Sequence, residues 1–430
     1  MKKYNANMYQ LYKWQRHSLK AYFHAVSCNV HWQAQILETT ALSGITPYAA
    51  QSKKMLHAAM EMSERLSRDY EKLPFQLGEE VIVNKDFGSL LHFKHDPQRN
   101  DPKVLIVAPM SGHHATLLRE MVAQLLPSHD VYITDWQDAR TIPLDKGEFG
   151  FEDYVTYVQD FIKTIGPDAH VVAISQSTVT TLAAIAVLAQ EDSACQPLSM
   201  TLIGGPIDTR VAETAVTRLA KAKSLDWFAE NMLARVPESY AGAGRLVYPG
   251  FLQLFSFMAL NPAQHIFSHL NLFRHLAADD HAQAGKLKGF YDEYLAVCDL
   301  PGKFYLETVQ KVFMDQELAK GTMTYRGKRL DLAAIRKTAL LTVEGAKDTI
   351  VAPGQTFAAH KLCAGLQDSQ RAHHLQKDAD HYGIFSGDHW RDDICPKLTR
   401  FIRETAARHG THHDAVYAQK SIPVKRRFGR

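Results

Sequence analysis

Short apolar runs recur along the middle of the chain, each bounded by turn residues and separated from the next by stretches of helical spacing. They are "VLIVAP", "VYITDW", "HVVAIS", "MTLIGG" and, much later, "ALLTVEG" and "HHLQKD". Strands buried on both faces read as continuous apolar runs, so the alternation predicts an α/β fold with a mostly parallel central sheet covered by helices. Ahead of the first run, "EEVIVNKDFGSLLHFKHD" alternates like a hairpin. Residues 1–75 read as a helical region. In "SKKMLHAAMEMSERLSRDY", Met55, Ala59, Met62 and Leu66 share one face with charges opposite, and that face is expected to pack on the main core.

Between residues 209 and 330 the strand pattern stops. Aromatic side chains at helical spacing dominate there, as in "YPGFLQLFSFMALNPAQHIFSHLNLF" and "GFYDEYLAVCDLPGKFYLETVQKVF". This interval predicts an inserted helical cap, which must close over something. The core is then assigned to residues 76–208 and 331–405. The remainder, 406–430, has little apolar periodicity and is expected to be a loose basic tail.

Composition narrows the function classes. With 430 residues, 46% of them hydrophobic, a sizeable core can form. Lys and Arg number 49 against 46 Asp and Glu, and the resulting +3 does not suggest nucleic acid as a partner. Cys28, Cys195, Cys298, Cys363 and Cys395 are scattered and form no CxxC pair, so neither a disulfide framework nor a metal site is expected. The N-terminal "MKKYNANMYQLYKWQRHSLK" lacks an apolar signal core, and the longest uncharged stretch is interrupted by "SQSTVTT". A cytoplasmic protein without a membrane span is expected.

The chemistry centres on "HVVAISQSTVTTLAAIAVLA", residues 170–189. It reads as a strand, a small polar turn and a helix, the form of a nucleophile elbow in an α/β-hydrolase. Ser175 sits at the turn, with Ala173 and Ser177 where a GxSxG elbow carries glycines. Ser175, Ser177 and Thr178 could equally cap the following helix. A serine nucleophile needs an imidazole to accept its proton and a carboxylate to orient that imidazole. In this fold the chain order is nucleophile, acid, histidine. "ALLTVEGAKDTIVAPGQT" offers Glu344 and Asp348, and Asp348, farther into the loop, is preferred. "HHLQKDADHYGIFSG" places His381 in a polar loop, whereas His373 and His374 fall within a strand pattern. Backbone donors for an oxyanion are expected from Gln176 and from Met110 or Ser111 in "VLIVAPMSGHHATLLRE". His113, His114 and Trp136 are candidates for the acyl pocket, and Asp135, Asp138 and Arg140 for an internal ion pair.

The segments "APMSGHHATLLR", "YITDWQDAR", "GGPIDTR", "YPGFLQ", "FYDEY", "TVEGAKDTIVAPGQT" and "HYGIFSG" resemble, in order, the blocks of the intracellular polyhydroxyalkanoate depolymerases, particularly the polyhydroxybutyrate type. The resemblance spans roughly residues 8 to 405. It implies hydrolysis of 3-hydroxyacyl esters in stored polyester granules and hydroxyalkanoate oligomers, at the granule surface in the cytoplasm, without a metal or cofactor. The family triad falls on Ser175, Asp348 and His381. One departure stands out: the family nucleophile before Gln is usually cysteine, and here "ISQST" has serine. A natural serine-using branch and a Cys-to-Ser replacement give the same sequence.

Two other functions use the same residues. A polyhydroxyalkanoate synthase-like acyltransferase would pass the acyl group to a chain hydroxyl instead of water, but its usual GxCxGG box is absent. A granule-binding protein with weakened catalysis would keep the fold and coat the polymer through its aromatic interval and N-terminal helices. Assembly into a homo-oligomer is left open by the sequence.

Overall fold

The computed structural model describes residues 8–39, 46–94, 96–260 and 262–410. Eight strands form the central sheet: β1 (Glu79–Lys85), β2 (Gly88–Phe93), β3 (Lys103–Val107), β4 (Asp130–Trp136), β5 (His170–Ile174), β6 (Ser199–Ile203), β7 (Ala339–Gly345) and β8 (Arg371–Gln376). Their spatial order is β1-β2-β4-β3-β5-β6-β7-β8. β2 runs antiparallel to both of its neighbours, and every other pairing is parallel. β5, β6 and β7 are buried at every position. Covered on both faces, they show no polar alternation in sequence, which is why each reads as an apolar run. This is the α/β-hydrolase fold.

Helices α1 (Met8–Thr39) and α2 (Thr46–Ser67) precede the sheet, and α3 (Arg119–Leu125), α4 (Phe151–Ile165), α5 (Ser177–Gln190) and a C-terminal helix (Cys395–Arg408) pack around it. α5 is buried nearly all round, and the loop after β6 approaches it so closely that a Cβ on Gly205 would lie 1.9 Å from Thr178 Oγ1. The C-terminal helix carries the fold to Arg408, past the expected start of the tail at 406, because Phe401, Ile402 and Ala406 lie buried on the core side. The rest of that tail, from residue 411, lies outside the described residues.

Between β6 and β7 lie α6 (Ala215–Ala222), α7 (Leu225–Met232), α8 (Gly250–Leu260), α9 (Pro262–Ala277) and α10 (His281–Tyr294). The interval also holds strands that the sequence did not announce. Ala234–Arg235, Leu246–Tyr248 and Leu300–Pro301 form one small antiparallel sheet, and Thr324–Tyr325 pairs with Lys328–Arg329. Two or three residues are too few to show a period of two. Arg245 fastens this interval to the core. Its buried guanidinium donates to the carbonyls of Ile142 (2.9 Å), Gly147 (2.7 Å) and Pro143, and lies over the Phe87 ring. The planar fork of an arginine reaches three carbonyls that an ammonium could not bridge.

α2 does not pack on the sheet as expected. Its apolar edge runs through Ala58 and Met62 onto Leu272 and Leu276 of α9 and Ala284 of α10, while Met55 stands 47% exposed. Arg65 anchors the contact by donating to Asp292 (2.6 Å) and to the Lys288 carbonyl (3.1 Å). α1 reaches the same inserted region through Tyr12, stacked on Phe251 at 4.0 Å, and Tyr9, whose hydroxyl donates to Asp299. Asp138 pairs with Arg140 at 2.7 Å, whereas Asp135 pairs with Lys72 at 2.5 Å instead of joining them. No helix among the described residues is long and apolar enough to cross a membrane.

Candidate active site

The sharp turn between β5 and α5 places Ser175 at φ +55°, a left-handed conformation that side chains other than glycine adopt rarely. The turn is held by its neighbours. Ser175 N–H donates to the Ile203 carbonyl (2.7 Å), and the Ser177 hydroxyl accepts from Ile174 N–H (3.0 Å) and lies 2.7 Å from the Val107 carbonyl. The Thr178 hydroxyl donates to the Ser175 carbonyl (2.7 Å). Ser177 and Thr178 thus serve the backbone, and Ser175 is the hydroxyl of the cluster that faces an imidazole.

That imidazole is His381. Its Nε2 lies 2.9 Å from Ser175 Oγ, and its Nδ1 lies 2.6 Å from Asp348 Oδ2. The other Asp348 oxygen accepts from the N–H groups of Ile350 (2.8 Å) and Val351 (2.9 Å), so the carboxylate is locked with one oxygen aimed at the ring. Gly204, at φ +56°, lets the backbone pass the His381 ring: a Cβ there would lie 3.3 Å from Cε1. Asp348 and His381 are buried, and their hydrogen bond is shielded from competing water.

Glu344, the other carboxylate on this segment, accepts backbone N–H bonds from Gly354 (2.9 Å), Thr356 (2.7 Å) and Phe357 (3.0 Å). It shapes the loop after β7; Thr356 in turn accepts from Gly205 N–H at 2.8 Å. His373 and His374 sit on β8, where His373 Nδ1 lies 2.8 Å from Thr342 Oγ1 and His374 Nε2 lies 2.7 Å from Gln376 Oε1.

Gln176 opens α5 directly after Ser175. Met110 and Ser111 lie on the loop that leaves β3, and the register Val107↔Ala173 sets that loop beside the end of β5. The two segments expected to supply oxyanion donors thus leave adjacent parallel strands at the same end of the sheet. The pocket candidates fare differently. None of His113, His114 and Trp136 lines the cavity of about 60 Å³ beside His381. Trp136 is a core residue: its Nε1 donates to the Ala108 carbonyl (2.8 Å), and its ring packs on Tyr154. It points away because it is the last residue of a strand whose alternation sends it to the α4 face.

The walls of the cavity come from the inserted helices, chiefly Phe257, His265, Ser268 and Phe290, with His381 and Tyr382 at its base. Sequence reasoning missed these residues, since nothing in a helical aromatic stripe marks the few side chains that turn inward. Among the described residues, no three His, Cys, Asp or Glu side chains converge as a metal-holding group, and all five cysteines stand free.

His113 is buried between the rings of Tyr294 (4.9 Å) and Phe257 (5.9 Å), and burial pushes its pKa down to about 4. Burial likewise lowers His114 to about 3 and His129 to about 4. Because these folded values lie below the unfolded value near 6.5, their stabilising effect is present above that pH and is lost as pH falls through 6.5 toward 4. Asp299 acts oppositely: burial and the neighbouring Asp138 raise it to about 6, so its effect favours the folded state as pH falls. Burial also lowers His360 to about 4, and these four lowered histidines outweigh the raised Asp299 and its raised neighbour Asp138. Denaturant titrations between about pH 6.5 and about pH 4 should show net proton uptake on unfolding, with stability falling as pH drops. Stability constant or rising over that window would refute neutral burial of these rings.

The sheet order and this strand-turn-helix placement define the class as α/β-hydrolase. Residues 204–406 match the family model described as "PHB de-polymerase C-terminus". Similar solved structures include a carboxylesterase of Nitrososphaera gargenis, at 11% identity over 75% of this chain and 98% of that chain with a TM-score of 0.42. A monoacylglycerol lipase of Paleococcus ferrophilus is 11% identical over 74% and 98% of the two chains, with a TM-score of 0.41. The 2-hydroxy-6-oxo-6-phenylhexa-2,4-dienoate hydrolase of Rhodococcus sp. strain RHA1 is 14% identical over 76% and 99%, with a TM-score of 0.40. No curated protein matches the chain.

Proposed function

We propose that the chain hydrolyses polyhydroxybutyrate-type polyester and its 3-hydroxyalkanoate oligomers through an acyl-enzyme on Ser175. The observation that carries this reading is the continuous relay from Asp348 through His381 to Ser175 Oγ, at 2.6 and 2.9 Å. The family match over residues 204–406 supports ester hydrolysis and points to the polyester.

In this mechanism His381 Nε2 takes the Ser175 proton as Oγ attacks the ester carbonyl, and Asp348 holds Nδ1 protonated, so that Nε2 is the accepting nitrogen. The N–H groups of Gln176 and of the 110–111 loop receive the developing oxyanion. Protonated His381 then donates to the departing hydroxyl of the polyester chain, and water, activated by the same ring, releases the hydroxyacid and restores Ser175.

The cavity beside His381 holds about 60 Å³, far below the few hundred Å³ that a bound ligand occupies, and on this reading the inserted helices move to admit the polymer. Their outer surface is itself apolar: Phe255, Ile266, Phe267 and Leu270 stand exposed on α8 and α9, with Trp14 and Tyr22 exposed on α1. Such side chains suit a water-insoluble polyester that presents methyl and ester groups.

The test has two arms. Amorphous polyhydroxybutyrate incubated with the protein should release 3-hydroxybutyrate or short oligomers, and a fluorophosphonate should leave an adduct on Ser175 that peptide mass spectrometry locates. Ester hydrolysis without release from the polymer would remove the polyester assignment. A labelled protein with its adduct elsewhere would remove Ser175.

A further inference from the structure

The loop that follows β3 is held at its two ends by different parts of the molecule. At its start, the Ala108 carbonyl accepts from Trp136 Nε1 and the Tyr154 hydroxyl, both at 2.8 Å, and Ala108 N–H donates to Thr134 Oγ1 at 2.9 Å; all three partners belong to the hydrolase core. From Ser111 onward, apart from the His113 ring's bond to the Ser111 backbone within the loop itself, the holds come from the insertion. Gln253 of α8 donates from Nε2 to the Ser111 carbonyl. The Gly112 carbonyl accepts from Cys298 N–H (2.9 Å), and His113 forms an antiparallel bridge with Val297. Gly112 adopts φ +83° flush against the amide of Gln253: a Cβ on Gly112 would lie 3.0 Å from both Cδ and Oε1.

Gln253 is buried, and its Oε1 has no hydrogen-bond partner among the described residues. The amide orientation follows from chemistry, since only the NH₂ side can face a carbonyl. A buried amide with one end unpaired is a costly way to fill space on a helix otherwise rich in Phe and Leu, and an apolar side chain would pack there without that cost. What it does supply is direction. Peptide units are planar and trans, so pinning the Ser111 carbonyl toward α8 fixes the plane of the 111–112 peptide and leaves only the Ser111 dihedrals between it and the Ser111 N–H, with the Met110 dihedrals added before the Met110 N–H is reached. Oxyanion donors act only when held within a few tenths of an ångström of the developing charge.

We propose that Gln253 is a positioning residue: by holding the Ser111 carbonyl from α8, it sets the backbone donors of the 110–111 loop, so the oxyanion hole is complete only with the inserted helices closed over the site. This inference rests on the acyl-enzyme reading of Ser175 and adds to it a link between closure and transition-state stabilisation. Binding of the ground-state ester does not need the link, so its loss falls on the chemical step.

The test compares the parent with Gln253→Met, which keeps the length of the side chain and removes its donor, and with Gln253→Glu. Hydrolysis of p-nitrophenyl butyrate, inhibition by a trifluoromethyl ketone and thermal unfolding are measured on each. For Gln253→Met, kcat should fall roughly 10- to 100-fold with KM within about threefold. Affinity for the ketone, whose adduct carries the oxyanion, should fall by the same factor, while the unfolding temperature stays close to that of the parent. Gln253→Glu can donate to Ser111 only when protonated, so its kcat relative to the parent should climb as pH is lowered from about 8 to about 5; this keeps the inference testable if the Met variant does not fold. Parental kcat in Gln253→Met, a rise in KM alone, or a pH-independent ratio near one for Gln253→Glu would overturn it. A parent that hydrolyses no ester, or that stays active after Ser175→Ala, would instead overturn the acyl-enzyme reading.

Discussion

Alanine at position 175 is expected to lower the rate of ester hydrolysis by about 10⁴- to 10⁶-fold, the range over which removal of a serine nucleophile leaves only binding and oxyanion contacts to act. The side-chain contact of Ser175 Oγ described in the structure is the one to His381. The turn itself is built from the Ser175 backbone and from Ser177 and Thr178, so the variant should fold and unfold like the parent. Ser175→Cys is the informative companion. A thiol is ionised readily by an adjacent imidazole and attacks as thiolate, so cysteine should restore hydrolysis to within a few orders of magnitude of serine or above it. Initial rates on p-nitrophenyl butyrate and on amorphous polyhydroxybutyrate measure both variants. An alanine variant within tenfold of the parent would assign the reaction to another residue.

The second large effect separates two carboxylates four residues apart. In Asp348→Asn, the amide oxygen can keep the bonds from Ile350 and Val351 N–H, which turns the NH₂ group toward His381 Nδ1. That nitrogen must then accept, Nε2 carries the proton, and the ring can no longer take one from Ser175. A fall in kcat of about 10⁴-fold with a modest change in KM is expected. Glu344→Gln should behave in the opposite way. Its carboxylate accepts backbone N–H bonds from Gly354, Thr356 and Phe357, and hydrogen bonds to a charged group contribute roughly 1.5–3 kcal/mol each, so its loss should appear in denaturant titration. Because Glu344 touches neither Ser175 nor His381 and shapes a loop instead, kcat per folded molecule should stay within about tenfold of the parent. If Glu344→Gln lost catalysis and Asp348→Asn kept it, the two roles would have to be exchanged.

The contrast between these carboxylates shows where sequence reasoning stops. Both follow the same apolar run, and only their depth in the loop distinguishes them along the chain. In space, Asp348 is turned by two backbone N–H groups toward an imidazole, while Glu344, still within β7, is consumed by the loop that crosses above it. Trp136 and α2 carry the same lesson. A tryptophan at a strand end resembles a pocket residue until the strand's facing is known, and the apolar stripe of α2 cannot say whether it meets the sheet or, as it does, α9 and α10.

By itself the sequence determined the strand runs, the β1–β2 hairpin, the turn at Ser175 and the chain order of the polar residues, because burial on two faces, alternation and turn chemistry act between near neighbours and leave a local period. Only the tertiary structure decided which hydroxyl meets which ring, which carboxylate stands behind it and which amide of the inserted helices grips the loop after β3. Ser175 and His381 lie 206 residues apart and Gln253 and Ser111 lie 142 apart, and a contact of a few ångströms across that separation depends on how whole layers pack, which no window of the chain records.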